Sequence, residues 1–373
     1  MDMFITSTNK GEIGMKYKDL DNKQKRKFLG SLGLIVVIAT LFIGYAGTNL
    51  YQDRANEDKY WDSYLETPKE IQEIIADKGR DATKVHVGTY IENLKEINIK
   101  GSSFRASYEI WFKWDGNPDL DMKNHFRIYK GTVNKMEVIK DYHEDGMNYQ
   151  KLRVDVSVTK NFWTKRFPLE SHQLRMYLMS NYPVEDVVFI GDINESTSNP
   201  NLSITGYDLK RHGTGVTGVT MKSTGDPQMD EDITSSEFMT AIEINRSGGG
   251  LYIKCFIALV GTITWVMIAL FLCSYHHVDP LGMIPAALFG TVSNIMVGAN
   301  LLPDALDLGL LEYVNTFGIM TILAVALVVI NANRLRTKDN KDFASFYGRR
   351  LFYVLLFFIL LGNLIMPLVS YMF

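Results

Sequence analysis

Two hydrophobicity patterns divide this chain. Between positions 85 and 178 several runs alternate apolar and polar residues, whereas five other segments are almost entirely apolar. A helix needs about 18 or more consecutive apolar residues to cross the hydrocarbon core of a membrane. The five segments reach that length and hold charges only near their ends, where a side chain can extend to the headgroups. They are 29–50, 251–273, 281–302, 311–332 and 351–373, and they predict an integral membrane protein.

The alternating region predicts β-strands. In 104–114 every even position is apolar and most odd positions are polar, which is typical of a strand with one buried face. Trp111 is the exception and places an aromatic side chain on the other face. Similar runs follow at intervals, separated by turn-rich stretches, and indicate an antiparallel β-sandwich. Only 58–78 has a helical pattern there, and it is expected to join the first apolar segment to the sandwich.

Basic residues near the apolar segments predict the orientation in the membrane, because Lys and Arg accumulate on the cytoplasmic side. Six of them lie between positions 16 and 27, against one in 51–58. Six more lie in 331–350, whereas 303–310 has two aspartates and no base. We therefore expect a cytoplasmic segment 1–28, a transmembrane anchor 29–50, an outside domain 51–250 and a helical domain 251–373. In the last of these, 333–350 would be a cytoplasmic loop. The competing interpretation of 29–50 is a cleaved signal peptide, but the long polar stretch before it contains acids and favours an anchor.

Composition and motifs exclude several function classes. The net charge is −3, and basic residues cluster only beside the apolar segments, which predicts no nucleic-acid partner. The chain has no His-Glu-x-x-His, Gly-x-Ser-x-Gly or phosphate-loop motif, so we do not expect an enzyme. Both cysteines, Cys255 and Cys273, fall in one apolar segment, so the outside domain must be stabilised by its core rather than by disulfides.

A short motif gives the chain its most specific likeness. Residues 167–174 read Phe-Pro-Leu-Glu-Ser-His-Gln-Leu; Arg246 stands just before the second apolar segment, and Leu302-Pro303 ends the third. This order resembles the pentameric ligand-gated ion channels (the Cys-loop receptor superfamily), in particular the bacterial members without the cysteine pair. Glu170 and His172 replace the usual Asp and Gln, and Lys160 and Leu174 stand where the two cysteines would be. The N-terminal helix is an addition to the family pattern.

The resemblance implies a fold and an assembly. The fold would be an extracellular antiparallel β-sandwich followed by a four-helix transmembrane bundle, here with one N-terminal transmembrane helix added. The chain would form a homopentamer in the lipid bilayer of the cell membrane and pass cations when an unidentified small molecule or ion binds. A non-conducting, receptor-like membrane sensor with the same fold is the alternative, and an accessory subunit of another complex is a third.

The resemblance also implies that helix 281–302 lines the pore. The pore face would then consist of Gly282, Ala286, Phe289, Ser293, Met296 (or Val297) and Asn300, the last at the outer mouth. Phe289 would form an apolar gate, and Asp279 a ring of carboxylates that attracts cations. Two alternatives stay open. Small residues at every fourth position also suit close helix packing, and Asp279-Pro280 is also favourable chemistry for the start of a helix.

Further candidates lie in the outside domain. The resemblance implies a gating interface where Glu170 meets Arg246, near Phe167, Pro168 and Pro303; the alternative is a surface ion pair of little energetic weight. An inter-subunit ligand pocket could use Tyr108, Trp111 and Tyr182, although core packing explains each equally well. Residues 115–121 place four oxygen side chains at alternate positions, similar to a calcium loop. They lack the Gly and Glu that such a loop requires, which favours a solvated turn and no bound cofactor.

Overall fold

The computed structural model describes residues 15–63, 67–222, 232–303, 308–338 and 340–372. The chain divides into two compact units. One, the β unit, comprises Gln52–Gly250 and Asn300–Asp307, and the other, the helical unit, comprises Met1–Tyr51, Leu251–Ala299 and Leu308–Phe373.

The β unit contains two sheets. The first has the strand order β4-β5-β2-β1-β7, with β8 paired to β1, and the second has the order β3-β6-β10-β9. The aromatic rings of Phe112 in β2 and Phe126 in β3 meet between the sheets at a centroid distance of 5.7 Å. Two sheets packed in this way are compatible with the expected β-sandwich. The sandwich is not purely antiparallel as predicted, because β7 and β8 both pair with β1 in parallel. The strands are β1 Thr83–Asn98, β2 Ser103–Asp115, β3 Phe126–Ile128, β4 Gly131–Glu144, β5 Met147–Thr159, β6 Ser171–Ser180, β7 Val187–Gly191, β8 Thr197–Ser198, β9 Tyr207–Met221 and β10 Ile233–Arg246.

The alternation in β2 has the predicted structural meaning. Its six even positions, from Phe104 to Trp114, are all buried. Trp111 lies on the opposite face, where its ring covers Gly88 so closely that a Cβ there would come within 2.2 Å. Its indole N–H donates a hydrogen bond of 3.0 Å to Asp192. One face of β2 therefore forms the core, and the other holds one well-packed aromatic.

The helical unit is built from long apolar helices. The helices of the chain are α1 Asn22–Ser63, α2 Lys69–Lys78, α3 Gly250–His276, α4 Ile284–Leu301, α5 Leu310–Thr337 and α6 Lys341–Met372. Among the described residues four of them, α1, α3, α5 and α6, are long and apolar enough to cross a membrane.

The fifth predicted membrane-length helix, at 281–302, is shorter than expected. Leu281–Met283 form a 3-10 turn, and α4 itself has 18 residues. At 1.5 Å per residue such a helix is about 27 Å long, slightly less than the hydrocarbon core of about 30 Å. The helix ends at Leu301 because the next residue, Leu302, precedes Pro303, and helical dihedrals are disfavoured for a residue before a proline.

Two other boundaries differ from the sequence prediction. Only 338–340 separate α5 from α6, so most of the predicted loop 333–350 is helical. Arg334 and Arg336 lie in the last turn of α5, where positive charge interacts favourably with the helix dipole. The predicted anchor 29–50 is part of the 42-residue helix α1, which continues to Ser63. Ion pairs of Arg54 with Glu57 and Asp58, at helical spacing, accompany this extension.

The extension explains why the second sheet is buried on both faces. Every residue of β6 except Tyr177 is buried, and so are most residues of β10. One face lies against the first sheet. On the other face Gly218 of β9 faces Ile71 and Ile75 of α2, so that an added Cβ would lie 2.9 Å from Ile71. The end of α1 bonds to the same sheet, as described below, and the two helices add a layer over it.

Candidate functional site

The predicted pore face of α4 is exposed along its whole length. Its members are Gly282, in the 3-10 turn, and Ala286, Phe289, Ser293, Met296 and Asn300. Phe289 has 75% of its surface exposed and Met296 63%. The buried residues of α4 are Ile284, Ala287, Thr291, Asn294 and Gly298. At 100° per residue these buried positions centre about 160° around the helix axis from the predicted pore face.

Small residues bring the buried face of α4 close to its neighbours. A Cβ on Gly290 would lie 2.3 Å from Thr262 of α3, and one on Gly298 would lie 2.1 Å from Leu311 of α5. Between them Asn294 donates a buried hydrogen bond of 2.7 Å to the Oδ1 of Asn315. The small residues at every fourth position therefore fall into two groups. Gly290, Asn294 and Gly298 pack against this chain, whereas Gly282 and Ala286 lie on the exposed face.

Asp279 is exposed and holds the start of the helix in place. Its Oδ1 accepts a hydrogen bond of 3.1 Å from the backbone N–H of Leu281 and one of 2.7 Å from the Asn333 amide. The contact with Leu281 is compatible with the helix-start alternative. The carboxylate still faces outward, which is compatible with a charged ring as well.

In the β unit, strand pairing brings Glu170 and Arg246 together. Strand β10 pairs with β6 and with β9, so that Arg246 at its end lies opposite Tyr207 and beside the start of β6. The Nε of Arg246 donates a hydrogen bond of 2.8 Å to Oε1 of Glu170, whose side chain is 1% exposed, against 16% for Arg246. The Tyr207 hydroxyl donates to the same oxygen at 3.2 Å, and its ring stacks 4.1 Å from the guanidinium. The pair is therefore buried, and the surface-pair alternative is wrong.

Burial and neighbouring charges shift the pKa values of Glu170 and His172. Burial alone would raise the pKa of Glu170, but His172 and Arg246 outweigh it and lower the pKa to about 2. His172 Nε2 lies 3.5 Å from Oε1, yet burial lowers the pKa of His172 as well. Arg246 supplies a positive charge beside Glu170 that does not depend on the protonation of His172.

The other predicted residues of the outside domain differ in burial and in their contacts. Phe167 and Pro168 are buried beside Glu170 in sequence, and Pro303 is half-buried. Tyr108 is a core residue, 2% exposed, which matches the core-packing alternative. Trp111 lies on the opposite face of β2, and Tyr182 stacks on His125 at 4.8 Å. A shared role of the three aromatics in ligand binding stays a prediction.

A larger ionic cluster, which the sequence did not reveal, ties α1 to the motif. Arg166, directly before the motif, forms ion pairs with Glu57 and, at 3.3 Å, with Asp53. Ser171, directly after Glu170, donates a hydrogen bond of 2.7 Å to Glu57 and accepts one of 2.9 Å from Arg54. The side chains of Glu57 and Arg166 are 0% and 4% exposed. Arg166 and Ser171, which flank residues 167–170 of the motif, are thus both attached to one turn of α1.

The cluster continues into β9 and β10. The Glu243 side chain, which is 0% exposed, pairs with Arg211 and, at 3.1 Å, with Lys210. Arg54 of α1 lies 3.7 Å from the same carboxylate, and Arg211 also pairs with Asp58 at 3.0 Å. Burying so many charges is tolerable only because each has partners of opposite sign. Burial, together with Arg54, lowers the pKa of Arg166 to about 10, so the guanidinium remains charged at neutral pH.

Side-chain hydrogen bonds hold residues 117–124 in a turn. Asn117 Oδ1 accepts the backbone N–H of Asp119 at 3.2 Å, and Asp121 accepts a hydrogen bond of 2.7 Å from Asn124. Within the part of the chain that the structure describes, no group of three or more His, Cys, Asp or Glu side chains could hold a metal ion. The geometry here is that of a hydrogen-bonded turn.

No family model matches the chain, and no curated protein matches it. The likeness to pentameric ligand-gated channels therefore rests on the order and identity of residues in this sequence, and it stays a prediction.

Proposed function

We propose that the chain is one subunit of a homopentameric, cation-selective channel of the pentameric ligand-gated type, gated by a ligand or another stimulus and lined by helix 281–302. The four long helices and α4 would span the cell membrane, with the N-terminus cytoplasmic and the β unit outside. The observation that supports this most is the division of α4. The residues expected to face a pore are exposed, while the opposite side packs against α3 and α5 of the same chain.

The exposed face of α4 can line a pore only if symmetric copies of the chain surround one axis. In one subunit Phe289 and Met296 are exposed beside Gly282, Ser293 and Asn300. Five such faces around an axis would enclose a narrow passage with polar rings and one bulky apolar ring, at which water is excluded when the passage is closed.

Strand β4 favours self-association of the β unit. It is an edge strand that pairs with β5, and all its residues after Gly131 are exposed on both faces. Val133, Met136 and Val138 have 40–47% of their surface exposed. Native proteins usually protect such an edge. A second copy of the chain, placed around a five-fold axis, would cover it.

The buried Glu170–Arg246 pair supports a route from ligand to gate. Unpairing either charge at such a site is costly, so a shift of one strand end must move the other. Here the motif is also held by Glu57 of α1 through Arg166 and Ser171. We infer that α1 takes part in transmission, which the four-helix members of the family do not require.

Conduction tests the proposal directly. Purified protein in planar bilayers should show cation currents, and Phe289→Ala should raise the resting current because the apolar ring is lost. The matched control is Ile295→Ala, also exposed on α4 but about 120° around the helix axis from Phe289, which should leave the resting current unchanged. If Leu288→Ala opens the channel and Phe289→Ala does not, the register is displaced by one residue.

Two substitutions of Asp279 test its role in charge selectivity. Asp279→Asn keeps an oxygen for the Leu281 and Asn333 hydrogen bonds and removes the charge, so it should lower cation-over-anion permeability as much as Asp279→Ala does. An effect of Asp279→Ala alone would assign the residue to helix capping.

Mass measurement in nanodiscs should give five copies; a stable monomer or dimer would refute the pentamer. A pentamer that never conducts would favour the receptor-like sensor.

A further inference from the structure

The helical unit contains an apolar cavity of about 560 Å³ between α1, α5 and α6. Residues 31–39, 317–331 and 347–359 contribute its lining. Leu34, Leu323 and Leu327 line it with more than half of their surface exposed, so the cavity opens along the outside of the helices. In a membrane that side faces hydrocarbon. A hydrocarbon chain is therefore the kind of group that can enter.

Polar groups gather at one end of this cavity. The hydroxyl of Tyr347 donates a hydrogen bond of 2.8 Å to Ser31, and Asn331 also contributes to the lining. This end belongs to the beginning of α1, the last turns of α5 and the beginning of α6. At the other end the lining is formed by Ala39, Phe317 and other apolar side chains. The cavity is thus polar at one end and apolar at the other, as an amphiphilic molecule is.

A cluster of positive charge lies beside the polar end. Lys27 precedes Ser31 by one helical turn, and Arg334 and Lys338 follow Asn331 within two turns. Lys27 is half-buried and close enough to Arg334 and Lys338 to be repelled by their charges. No salt bridge joins any of these three residues to an acid in the part of the chain that the structure describes. These three positive charges repel one another beside the polar end of the cavity, so a bound anion there would be stabilised.

We propose that this cavity is a binding site for an anionic phospholipid. One acyl chain would occupy the space between α1 and α5, and the headgroup phosphate would lie among Lys27, Arg334 and Lys338. Basic pockets between membrane helices on the cytoplasmic side bind such headgroups, and phosphate oxygens accept strong charge-assisted hydrogen bonds. A zwitterionic lipid would gain the apolar contacts but not the net attraction. The site needs α1, which is additional to the family's four helices.

This inference rests on one part of the proposed function, that the helices span a membrane, and not on conduction. The probe is the full chain in detergent, titrated with phosphatidylglycerol or phosphatidylcholine of identical acyl chains and followed by native mass spectrometry. We expect phosphatidylglycerol to bind about tenfold or more tightly. Lys27→Gln, Arg334→Gln and Lys338→Gln together should abolish that preference, since charge near the surface supplies it.

Matched controls separate the site from general effects. Lys18→Gln, Lys23→Gln and Lys341→Gln remove three exposed charges from the same flanks and should keep the preference. Ala324→Trp fills the cavity and should weaken binding of both lipids at least tenfold. Ala326→Trp, in the same helix and outside the lining, should not. Equal binding of the two lipids by the native chain would overturn the proposal, as would equal losses in the two triple variants. Preserved binding in Ala324→Trp would place the lipid elsewhere. None of these results depends on whether the protein conducts.

Discussion

Replacing Glu170 by Gln should destabilise the β unit strongly while hardly changing its shape. The Gln side chain keeps an oxygen that can accept from the Tyr207 hydroxyl, which now lies 3.2 Å from Oε1. What it loses is the negative charge opposite Arg246, whose side chain is 16% exposed. Arg246 would remain stacked on Tyr207, mostly buried and without its carboxylate.

The size of the effect follows from the ionisation of Glu170. Its pKa falls from the usual 4.5 to about 2 in the folded chain. A shift of this size corresponds to about 3 kcal/mol of stability. Because the folded pKa is the lower one, this contribution is complete above pH 4.5 and is lost as the pH falls from 4.5 through about 2. Arg246 retains some contact with water, so we expect Glu170→Gln to cost about 2–3 kcal/mol at pH 7.

Thermal unfolding of the pure protein in detergent, followed by tryptophan fluorescence, measures this loss. The control is Glu185→Gln, which removes the acid of the exposed Lys78–Glu185 pair at 3.1 Å and should cost less than about 1 kcal/mol. Arg246→Met combined with Glu170→Gln should cost clearly less than the sum of the single changes, since neither charge is then left alone. Strict additivity, or equal shifts for Glu170→Gln and Glu185→Gln, would refute the reasoning.

Two further predictions concern buried acids, Glu237 of β10 and Glu57 of α1. Burial raises the pKa of Glu237 to about 7, so its carboxyl favours the folded state fully below pH 4.5 and loses this advantage as the pH rises through 7. Glu237→Gln should therefore raise the melting temperature at pH 8.5 and leave it nearly unchanged at pH 4.5; equal shifts at both values would contradict this. Glu57→Gln should cost about 3 kcal/mol by leaving Arg166 short of charge, whereas Glu57→Leu with Arg166→Met should be milder than either change alone. A double variant as unstable as the sum of the two would show that the pair is not coupled.

Local patterns predicted much of this structure because their physical cause is local. The period of two in β2 requires only that one face of a strand be buried, and the even positions from Phe104 to Trp114 are buried as expected. The approach of Glu170 to Arg246 was inferred from the family's residue order, and strand pairing brings the two together. The length of α4 was overestimated because apolar composition continues through the 3-10 turn and past Leu301, so hydropathy alone does not mark its ends.

The cluster around Glu57 had no local signal, because its members come from distant parts of the sequence. Arg166 is 109 residues from Glu57 along the chain, and Ser171 is 114. In the sequence 51–63 is a polar, charged stretch after an apolar segment, which is typical of a solvated flank. Glu57 is buried instead, and Asp53 and Arg54 are largely covered, because α1 does not stop at Leu50 and brings these charges to complementary charges of the β unit. The end of α1 that belongs to the β unit cannot shift without breaking the ion pairs of Arg166 and the hydrogen bond of Ser171 to Glu57.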